Sequence, residues 1–164
     1  MIYVTTGTHQ APFDRLVKAM DTYAMTTPEE IIIQPGTSKV EIHKAKVVPF
    51  MAWEESNEYV KTARILVCHA GGGTLMDAIM ANTPMIIWPR LAEYHEHTNN
   101  HQLQIADSLR KQGRATVVGS AEELFEALRK NEVPNPMREQ SADTLTNAIR
   151  ASLDLLRRGK LGTS

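Results

Sequence analysis

Cysteine is almost absent from this 164-residue sequence, in which Cys68 is the one example. A single cysteine cannot close a disulfide within its own chain, so no internal disulfide is expected. The N-terminal sequence MIYVTTGTHQ also lacks the basic stretch and the long apolar core of a signal peptide. Together these two absences predict a protein of the reducing cytoplasm.

Long apolar runs and an excess of charge of one sign are missing as well. The longest apolar runs, at 65–68 and 85–88, fall far short of the roughly 20 residues that cross a bilayer. Lys and Arg number 18 against 19 Asp and Glu, for a net charge of −1, so no basic field is available to hold a nucleic-acid backbone. We expect neither a membrane-spanning segment nor a nucleic-acid partner.

The sequence does contain the pattern of one α/β domain. Its 164 residues are too few for two full nucleotide-binding domains. Short β-branched runs alternate with segments of helical periodicity, which indicates repeated βαβ units and a parallel sheet of about six strands flanked by helices. The predicted strands cover 2–6, 31–34, 46–50, 64–68, 85–88 and 115–118, and the predicted helices cover 11–24, 54–62, 75–81, 99–112, 120–130 and 137–158.

The loop at 69–74, His-Ala-Gly-Gly-Gly-Thr, is the strongest candidate site. It follows a predicted strand and opens a helix, and in open parallel sheets ligands bind at that end of the strands, near helix N-termini. Three glycines let the main chain approach an anion and adopt positive φ where the turn needs it. We predict a phosphate or diphosphate site. The alternative is a plain tight turn in which Thr74 caps the helix and Asp77 completes a capping box.

Other glycine-loop motifs do not fit the sequence. The pattern GxxxxGK[ST] is absent, and the loop after the first strand, Gly7-Thr8-His9, does not follow GxGxxG. An esterase would need a GxSxG elbow, but Gly119-Ser120 continues with Ala-Glu. Nucleotide triphosphate hydrolysis, hydride transfer and ester hydrolysis are therefore disfavoured.

A second candidate loop, 90–102, contains three of the six histidines. An HExxH zinc motif starting at His95 fails because Asn99 stands at its second histidine position. His97 and His101 have the i, i+4 spacing of metal ligands, but no cysteine is near them and no metal is expected. So many hydrogen-bonding side chains are better suited to sugar or ribose hydroxyls, or they form a solvated polar loop.

The loop at 7–9 should face the same crevice from the other side of the point where the strand order reverses. For His9, an exposed turn position and a ligand contact are equally good interpretations. Cys68 and His69 are neighbours in sequence, so their side chains should point to opposite faces of the strand. A thiol–imidazole nucleophile is therefore not expected, and Cys68 is interpreted as a small core residue.

Three ordered stretches carry a resemblance to a known family: VTTGTHQAPFDRLVKAMD, ARILVCHAGGGTLMDAI and PMIIWPRLAEYHEHTNNHQ. Over residues 1–130 they resemble the C-terminal domain of family 28 glycosyltransferases, in particular the short subunits that form half of a two-chain enzyme. The resemblance implies a Rossmann-like half of a GT-B fold that binds a UDP-sugar. It also implies a membrane-associated partner subunit that binds the acceptor and brings this chain to the inner face of the membrane.

The resemblance also assigns residues to the donor. The predicted UDP-sugar-binding residues are Gly7, Thr8, Phe50, Met51, His69, Ala70, Gly71, Gly72, Gly73, Thr74, Asp77, Arg90, His97, Asn100, His101 and Gln102. Among them Asp77 stands where the family holds the ribose hydroxyls, usually with the longer glutamate. The family's acidic pair before His-Gln is replaced by Asn99-Asn100, so the identity of the sugar stays open.

The function implied is an inverting hexosyl transfer from UDP to a lipid-linked saccharide, in exopolysaccharide or glycolipid synthesis, without metal or cofactor. Such a transfer needs a general base and a stabiliser of the departing UDP. The glycine loop would be the stabiliser, helped by Arg90 or a loop histidine, and the base would come from the partner, with His9 as the local alternative. The helix at 137–158 either packs on its own sheet or docks the partner. Other interpretations are a nucleotide-sugar sensor without catalysis and an epimerase-like enzyme acting on UDP-sugars.

Overall fold

The computed structural model of the chain describes residues 1–136 as a parallel sheet with helices on both faces. The strands are β1 (Ile2–Thr5), β2 (Ile31–Gln34), β3 (Lys46–Val47), β4 (Ile65–Cys68), β5 (Met85–Ile87) and β6 (Thr116–Val117). The helices are α1 (Asp14–Ala24), α2 (Trp53–Thr62), α3 (Gly72–Met80), α4 (His101–Lys111) and α5 (Ala121–Lys130), and a 3-10 turn covers Ala92–Tyr94. The predicted α/β architecture is confirmed, and the predicted helix at 137–158 lies outside the described residues.

Two apolar layers cover the sheet, one on each face. Along β1, Ile2 and Val4 point into the layer formed with α1 and α5, whereas Tyr3 points into the layer formed with α2, α3 and α4. This alternation follows from the two-residue period of a strand. All four residues of each of the strands β1, β2 and β4 are buried, as expected of parallel strands covered by helices on both sides.

The strand order places a crevice between β1 and β4. The six strands lie in the order β3-β2-β1-β4-β5-β6, and each pair is parallel. The chain therefore moves outward in one direction from β1 to β3 and in the other direction from β4 to β6. Loops that leave β1 and β4 turn to opposite faces of the sheet, which opens a ligand crevice at this point.

Helix α1 begins at Asp14 rather than at residue 11, and α2 begins at Trp53 rather than at residue 54. Two further differences, at α3 and α4, affect the crevice. Helix α3 begins at Gly72, inside the glycine run, rather than at residue 75. Helix α4 begins at His101 rather than at residue 99, because the Asn99 side chain accepts the N–H of His101 at 3.1 Å and holds a turn before the helix. The early start of α3 places its first turn at the end of β4.

Asp21, on α1, anchors the long loop between β2 and β3. Its buried carboxylate accepts the main-chain N–H groups of Lys44 at 2.8 Å and of His43 and Ala45 at 2.9 Å. Burial by itself would raise the pKa of Asp21, but the three main-chain N–H donors and His43 outweigh it, so the pKa is lowered. The ionised form of Asp21 therefore stabilises the folded chain.

Replacing this carboxylate should destabilise the protein in a pH-dependent way. Asp21→Asn puts an amide NH₂ against three N–H donors, so we expect the free energy of unfolding at pH 7 to fall by about 2 kcal/mol. A lowered folded-state pKa means that the stabilisation is present above about pH 4 and is lost as the pH falls further. Urea denaturation between pH 7 and pH 3 should show the two proteins converging in acid.

Glu41 provides the matched control, because its side chain in the same loop is 85% exposed. Glu41→Gln should leave the urea midpoint unchanged at pH 7. An Asp21→Asn protein as stable as the Glu41→Gln protein would contradict the anchoring role.

Candidate functional site

A cleft of about 510 Å³ opens at the carboxyl ends of β1, β2 and β4. It is lined by Thr5, Gly7, Thr8, Gln34, Phe50, Met51, Trp53, Ser56, His69, Gly71, Gly72, Gly73, Thr74 and Asp77. The structure thus brings together the predicted residues of the loop after β1, of the glycine loop and of the segment at Phe50. It adds Thr5, Gln34, Trp53 and Ser56, for which the sequence analysis predicted no role.

The glycine loop is the start of a helix and not a capped turn. Gly71 is the N-cap residue of α3, and no side chain caps the helix. Thr74 lies inside the first turn, so it does not cap the helix as the plain-turn interpretation required. The first N–H groups of a helix have no partner within it, so those of Gly72, Gly73 and Thr74 remain available to a ligand or to water. They lie at the positive end of the helix dipole, where an anion is stabilised.

His69 lies between the two loops of the crevice, against Gly7 and Gly71. A Cβ atom at Gly7 would stand 2.2 Å from Cε1 of the ring, and one at Gly71 would stand 2.1 Å from Nε2. Both contacts are far too short for any residue other than glycine. Gly7 also has a φ of +72°, which side chains disfavour. Glycine is therefore required at both positions by the imidazole that they enclose.

Burial keeps the His69 imidazole neutral. The side chain is 7% exposed, and burial, with smaller contributions from Arg90, His97 and His9, lowers its pKa to about 3. Its Nδ1 atom has no hydrogen-bond partner among the described residues. His69 thus adds a neutral imidazole to the floor of the cleft. Cys68, fully buried, has a pKa raised to about 12, so it offers no thiolate at neutral pH.

The opposite end of the cleft has a polar floor and aromatic walls. Gln34, at the end of β2, accepts hydrogen bonds from Thr5 at 2.8 Å and from Tyr3 at 3.3 Å. The Tyr3 and Ser56 hydroxyls share a further hydrogen bond of 3.2 Å. Phe50 and Trp53 are exposed on the rim above this network. This end therefore offers polar side chains and exposed aromatic rings, whereas the glycine end offers the main-chain N–H groups of a helix start.

Two of these residues could have been found from the sequence. Thr5 and Gln34 are polar residues at the ends of predicted strands, which is where parallel sheets place ligand contacts. Trp53 and Ser56 carried no such signal, because they reach the cleft through the position of α2 and not through a strand end.

Arg90 is buried beside the cleft and does not line it. Its guanidinium donates to the main-chain carbonyls of Thr6 at 2.7 Å, Ala11 at 2.8 Å, Glu96 at 3.1 Å and Pro12 at 3.3 Å. Burial lowers the pKa of Arg90 to about 10 against the opposing effect of Glu96, so the group stays protonated at neutral pH. In this position Arg90 holds the loops after β1 and β5 together.

The histidine-rich loop at 90–102 lies beside the cleft. Of the predicted residues there, Asn100 and Gln102 bond within the loop, and His101 is exposed. Gln102 and Asn100 direct their side-chain oxygens into the loop, where they accept the N–H groups of Arg90 at 3.1 Å and Ala92 at 3.0 Å. His101 is exposed on α4. None of these lines the cleft, nor does Ala70, which is buried in the core. Their predicted donor contacts stay predictions.

His9 and His97 connect this loop to the end of β1. Their rings stack with centroids 4.8 Å apart. The Nδ1 atom of His9 accepts the N–H of Ala11 at 3.1 Å, and that of His97 accepts the N–H of Asn99 at 3.4 Å. Burial, followed by His97 and Arg90, lowers the pKa of His9. For His9, the lowered pKa and the N–H accepted at Nδ1 together favour a neutral imidazole with the proton on Nε2.

Comparison with known sequences decides the family. The profile described as the Glycosyltransferase family 28 C-terminal domain matches residues 1–155. The chain belongs to this family. The resemblance carried by the three stretches is thus confirmed, and the chain is of the glycosyltransferase type. No curated protein sequence matches it.

Solved structures similar to this family 28 domain share its fold. ALG13, determined by NMR, superposes with a TM-score of 0.61 at 18% identity, covering 90% of this chain and 94% of ALG13. The glycotransferase of kitacinnamycin gives 0.61 at 17% identity, covering 96% and 42% of the two chains. MurG of Acinetobacter baumannii gives 0.58 at 18% identity, covering 96% and 49%. This chain spans less than half of the last two proteins, and its fold as one half of a GT-B enzyme is confirmed.

Two kinds of feature are absent from residues 1–136. No helix there has the length and apolarity needed to cross a bilayer. In the same residues, no three His, Cys, Asp or Glu side chains form a group that could hold a metal ion.

Alanine at Gly71 should destabilise the protein, whereas alanine at Gly73 should not. Gly71→Ala forces the His69 ring or the main chain to move, so we expect the free energy of unfolding to fall by about 1–3 kcal/mol. At Gly73 a Cβ atom meets nothing within 4 Å, and alanine in the first turn of α3 should be neutral or stabilising by up to about 1 kcal/mol. Urea denaturation measures both, and equal losses would contradict the enclosure of His69 by glycine.

Proposed function

We propose that this family 28 domain binds the UDP-sugar donor of a two-chain glycosyltransferase. In this proposal a membrane-associated partner subunit binds a lipid-linked saccharide, and the hexosyl group passes from UDP to that acceptor with inversion. The observation that carries the proposal is the uncapped start of α3 beside neutral His69, at the crevice where the strand order reverses. Main-chain N–H groups and a helix dipole at that point suit a diphosphate.

The coverage of its structural neighbours supports a half enzyme. The chain accounts for 94% of ALG13 but for 42% and 49% of the kitacinnamycin enzyme and MurG. GT-B enzymes need two halves to enclose donor and acceptor, so the acceptor half would be a separate chain. That partner would place this domain at the cytoplasmic face of the membrane, in exopolysaccharide or glycolipid assembly.

In this proposal a UDP group is laid along the cleft of about 510 Å³. The diphosphate lies over the first turn of α3, the ribose near Asp77, and the uracil against the exposed rim at Phe50 and Met51. As the bond from the sugar to the β-phosphate breaks, negative charge grows on the departing oxygen. The N–H groups of Gly72 and Gly73 and the positive end of α3 stabilise that charge. The described lining of the cleft contains no lysine or arginine that could do so.

His9 is arranged as a hydrogen-bond donor, which favours a base supplied by the partner. Its Nδ1 lone pair already receives the N–H of Ala11. A neutral imidazole has one N–H and one acceptor nitrogen, so Nε2 carries the proton and cannot take another from the acceptor hydroxyl. We therefore assign the acceptance of that proton to the partner subunit rather than to His9.

Calorimetry with UDP tests the site on this chain alone. We expect UDP to bind with measurable heat and Gly73→Ala to weaken that binding by about tenfold while leaving the unfolding transition intact. The added Cβ would stand in open space at the first turn of α3, where the proposal places the diphosphate. Uridine, which lacks the diphosphate, should bind both proteins equally. Absence of heat with UDP, or equal UDP affinities, would refute the diphosphate site.

Turnover of the assembled two-chain enzyme tests the role of His9. Loss of a general base costs about 10²- to 10⁴-fold in rate, whereas loss of one hydrogen-bond donor should cost less than about tenfold. We expect His9→Ala to show the smaller loss, and His9→Gln, which keeps an N–H near Nε2, to restore part of it. A loss above a hundredfold in both variants, with disappearance of the acidic limb of the pH profile, would identify His9 as the base.

A further inference from the structure

Trp53 makes a contact across the cleft that the proposed function does not use. It is the first residue of α2, and its indole ring is 60% exposed on the cleft rim. The indole N–H donates to both carboxylate oxygens of Asp77, at 3.2 and 3.1 Å. Asp77 lies on the second turn of α3, so this hydrogen bond links the first residue of one helix to the ribose end of the proposed nucleotide site.

The chemistry of this pair leaves the carboxylate able to accept more hydrogen bonds. An indole has one N–H and no acceptor, whereas an ionised carboxylate has about four lone-pair positions. The N–H lies between the two oxygens and occupies one side of the group. No other hydrogen bond to the Asp77 side chain is present within residues 1–136. A lysine or arginine at this place would neutralise the carboxylate, but Trp53 orients it without adding a charge.

We propose that Trp53 is a positioning residue that turns the Asp77 carboxylate toward the two ribose hydroxyls of the bound nucleotide. The inference rests on the proposed function, because it takes UDP as the ligand of the cleft. Free rotation of an aspartate side chain would spread its oxygens over several positions, and the indole restricts them to one. Trp53 thereby makes the site prefer a ribonucleotide to its 2′-deoxy form.

The exposure of Trp53 is consistent with this role. The chain has two tryptophans, and the other, Trp88, is buried in the core at 4% exposure. An exposed indole gains little from packing, so its place on the rim is not explained by core formation. Its one hydrogen bond inside the described chain goes to the cleft carboxylate.

The test is calorimetry of the full chain with UDP and with 2′-deoxy-UDP, because the ratio of the two affinities reports on the ribose contact alone. We expect the unsubstituted chain to prefer UDP by roughly tenfold, the value of one hydrogen bond to a charged group. Trp53→Phe keeps an aromatic ring and loses the N–H. It should remove most of this preference, because UDP, which offers two hydroxyls to Asp77, loses more affinity than 2′-deoxy-UDP, which offers one.

A double-mutant comparison separates positioning from a direct contact. If Trp53 acts through Asp77, then Trp53→Phe should change the UDP affinity little once Asp77→Asn is present. Tyr94→Phe is the matched control, since Tyr94 is also an exposed aromatic residue with one polar hydrogen and lies outside the cleft lining. It should bind both nucleotides as the unsubstituted chain does.

Three results would overturn the inference. An unchanged UDP preference in Trp53→Phe would mean that the indole does not position Asp77. Tighter UDP binding in Trp53→Phe would mean that the indole competes with ribose for the carboxylate. Additive losses in the double variant would mean that Trp53 contacts the nucleotide independently. Failure of the unsubstituted chain to bind UDP at all would instead refute the proposed function, so the two failures are distinguishable.

Tryptophan fluorescence provides a second measurement on the unsubstituted chain. Trp53 is accessible to acrylamide and Trp88 is not, given their exposures of 60% and 4%. We expect UDP to reduce acrylamide quenching, because ribose bound at Asp77 covers the neighbouring indole. Unchanged quenching in a chain that calorimetry shows to be saturated with UDP would place the ribose away from the Trp53–Asp77 pair and overturn the inference.

Discussion

The enclosure of the His69 imidazole by Gly7 and Gly71 joins the two loops that diverge between β1 and β4. A Cβ atom at either glycine would overlap the ring, so the loops can approach only because both positions lack a side chain. The buried ring forms the floor of the crevice and stays uncharged because water is excluded from it. The position of the first turn of α3, and with it the direction of its N–H groups, depends on this arrangement.

The buried cation beside the cleft bonds to the surrounding loops and does not line the cleft. Arg90 is the buried cation next to the cleft, and its hydrogen bonds go to four main-chain carbonyls of the surrounding loops. The described lining of the cleft contains neither lysine nor arginine. An anion there would meet main-chain N–H groups and a helix dipole, which is a weaker attraction than a fixed cation. In the proposed function, this weaker attraction would allow the diphosphate to leave after the transfer.

Much of this fold could be predicted from the sequence, while parts of the site could not. The strands at 31–34 and 85–87 were predictable because a run of β-branched or apolar residues between turn residues is a local signal. The glycine loop was predictable for the same reason. The start of α3 at Gly72 was not, because glycine is a poor helix former and only the packing of the loop against His69 places it there. The alternative interpretation, in which Thr74 caps the helix, fails on this account.

The sequence by itself determined the parallel sheet, the loops at its carboxyl edge and the family, since these depend on periodicity and on short motifs. Tertiary structure alone decided which side chains reach the cleft. Arg90 turns inward to Thr6, which is 84 residues away, and Trp53 meets Asp77, which is 24 residues away. Contacts between distant residues follow from how strands and helices pack together, and no local pattern of residues encodes them.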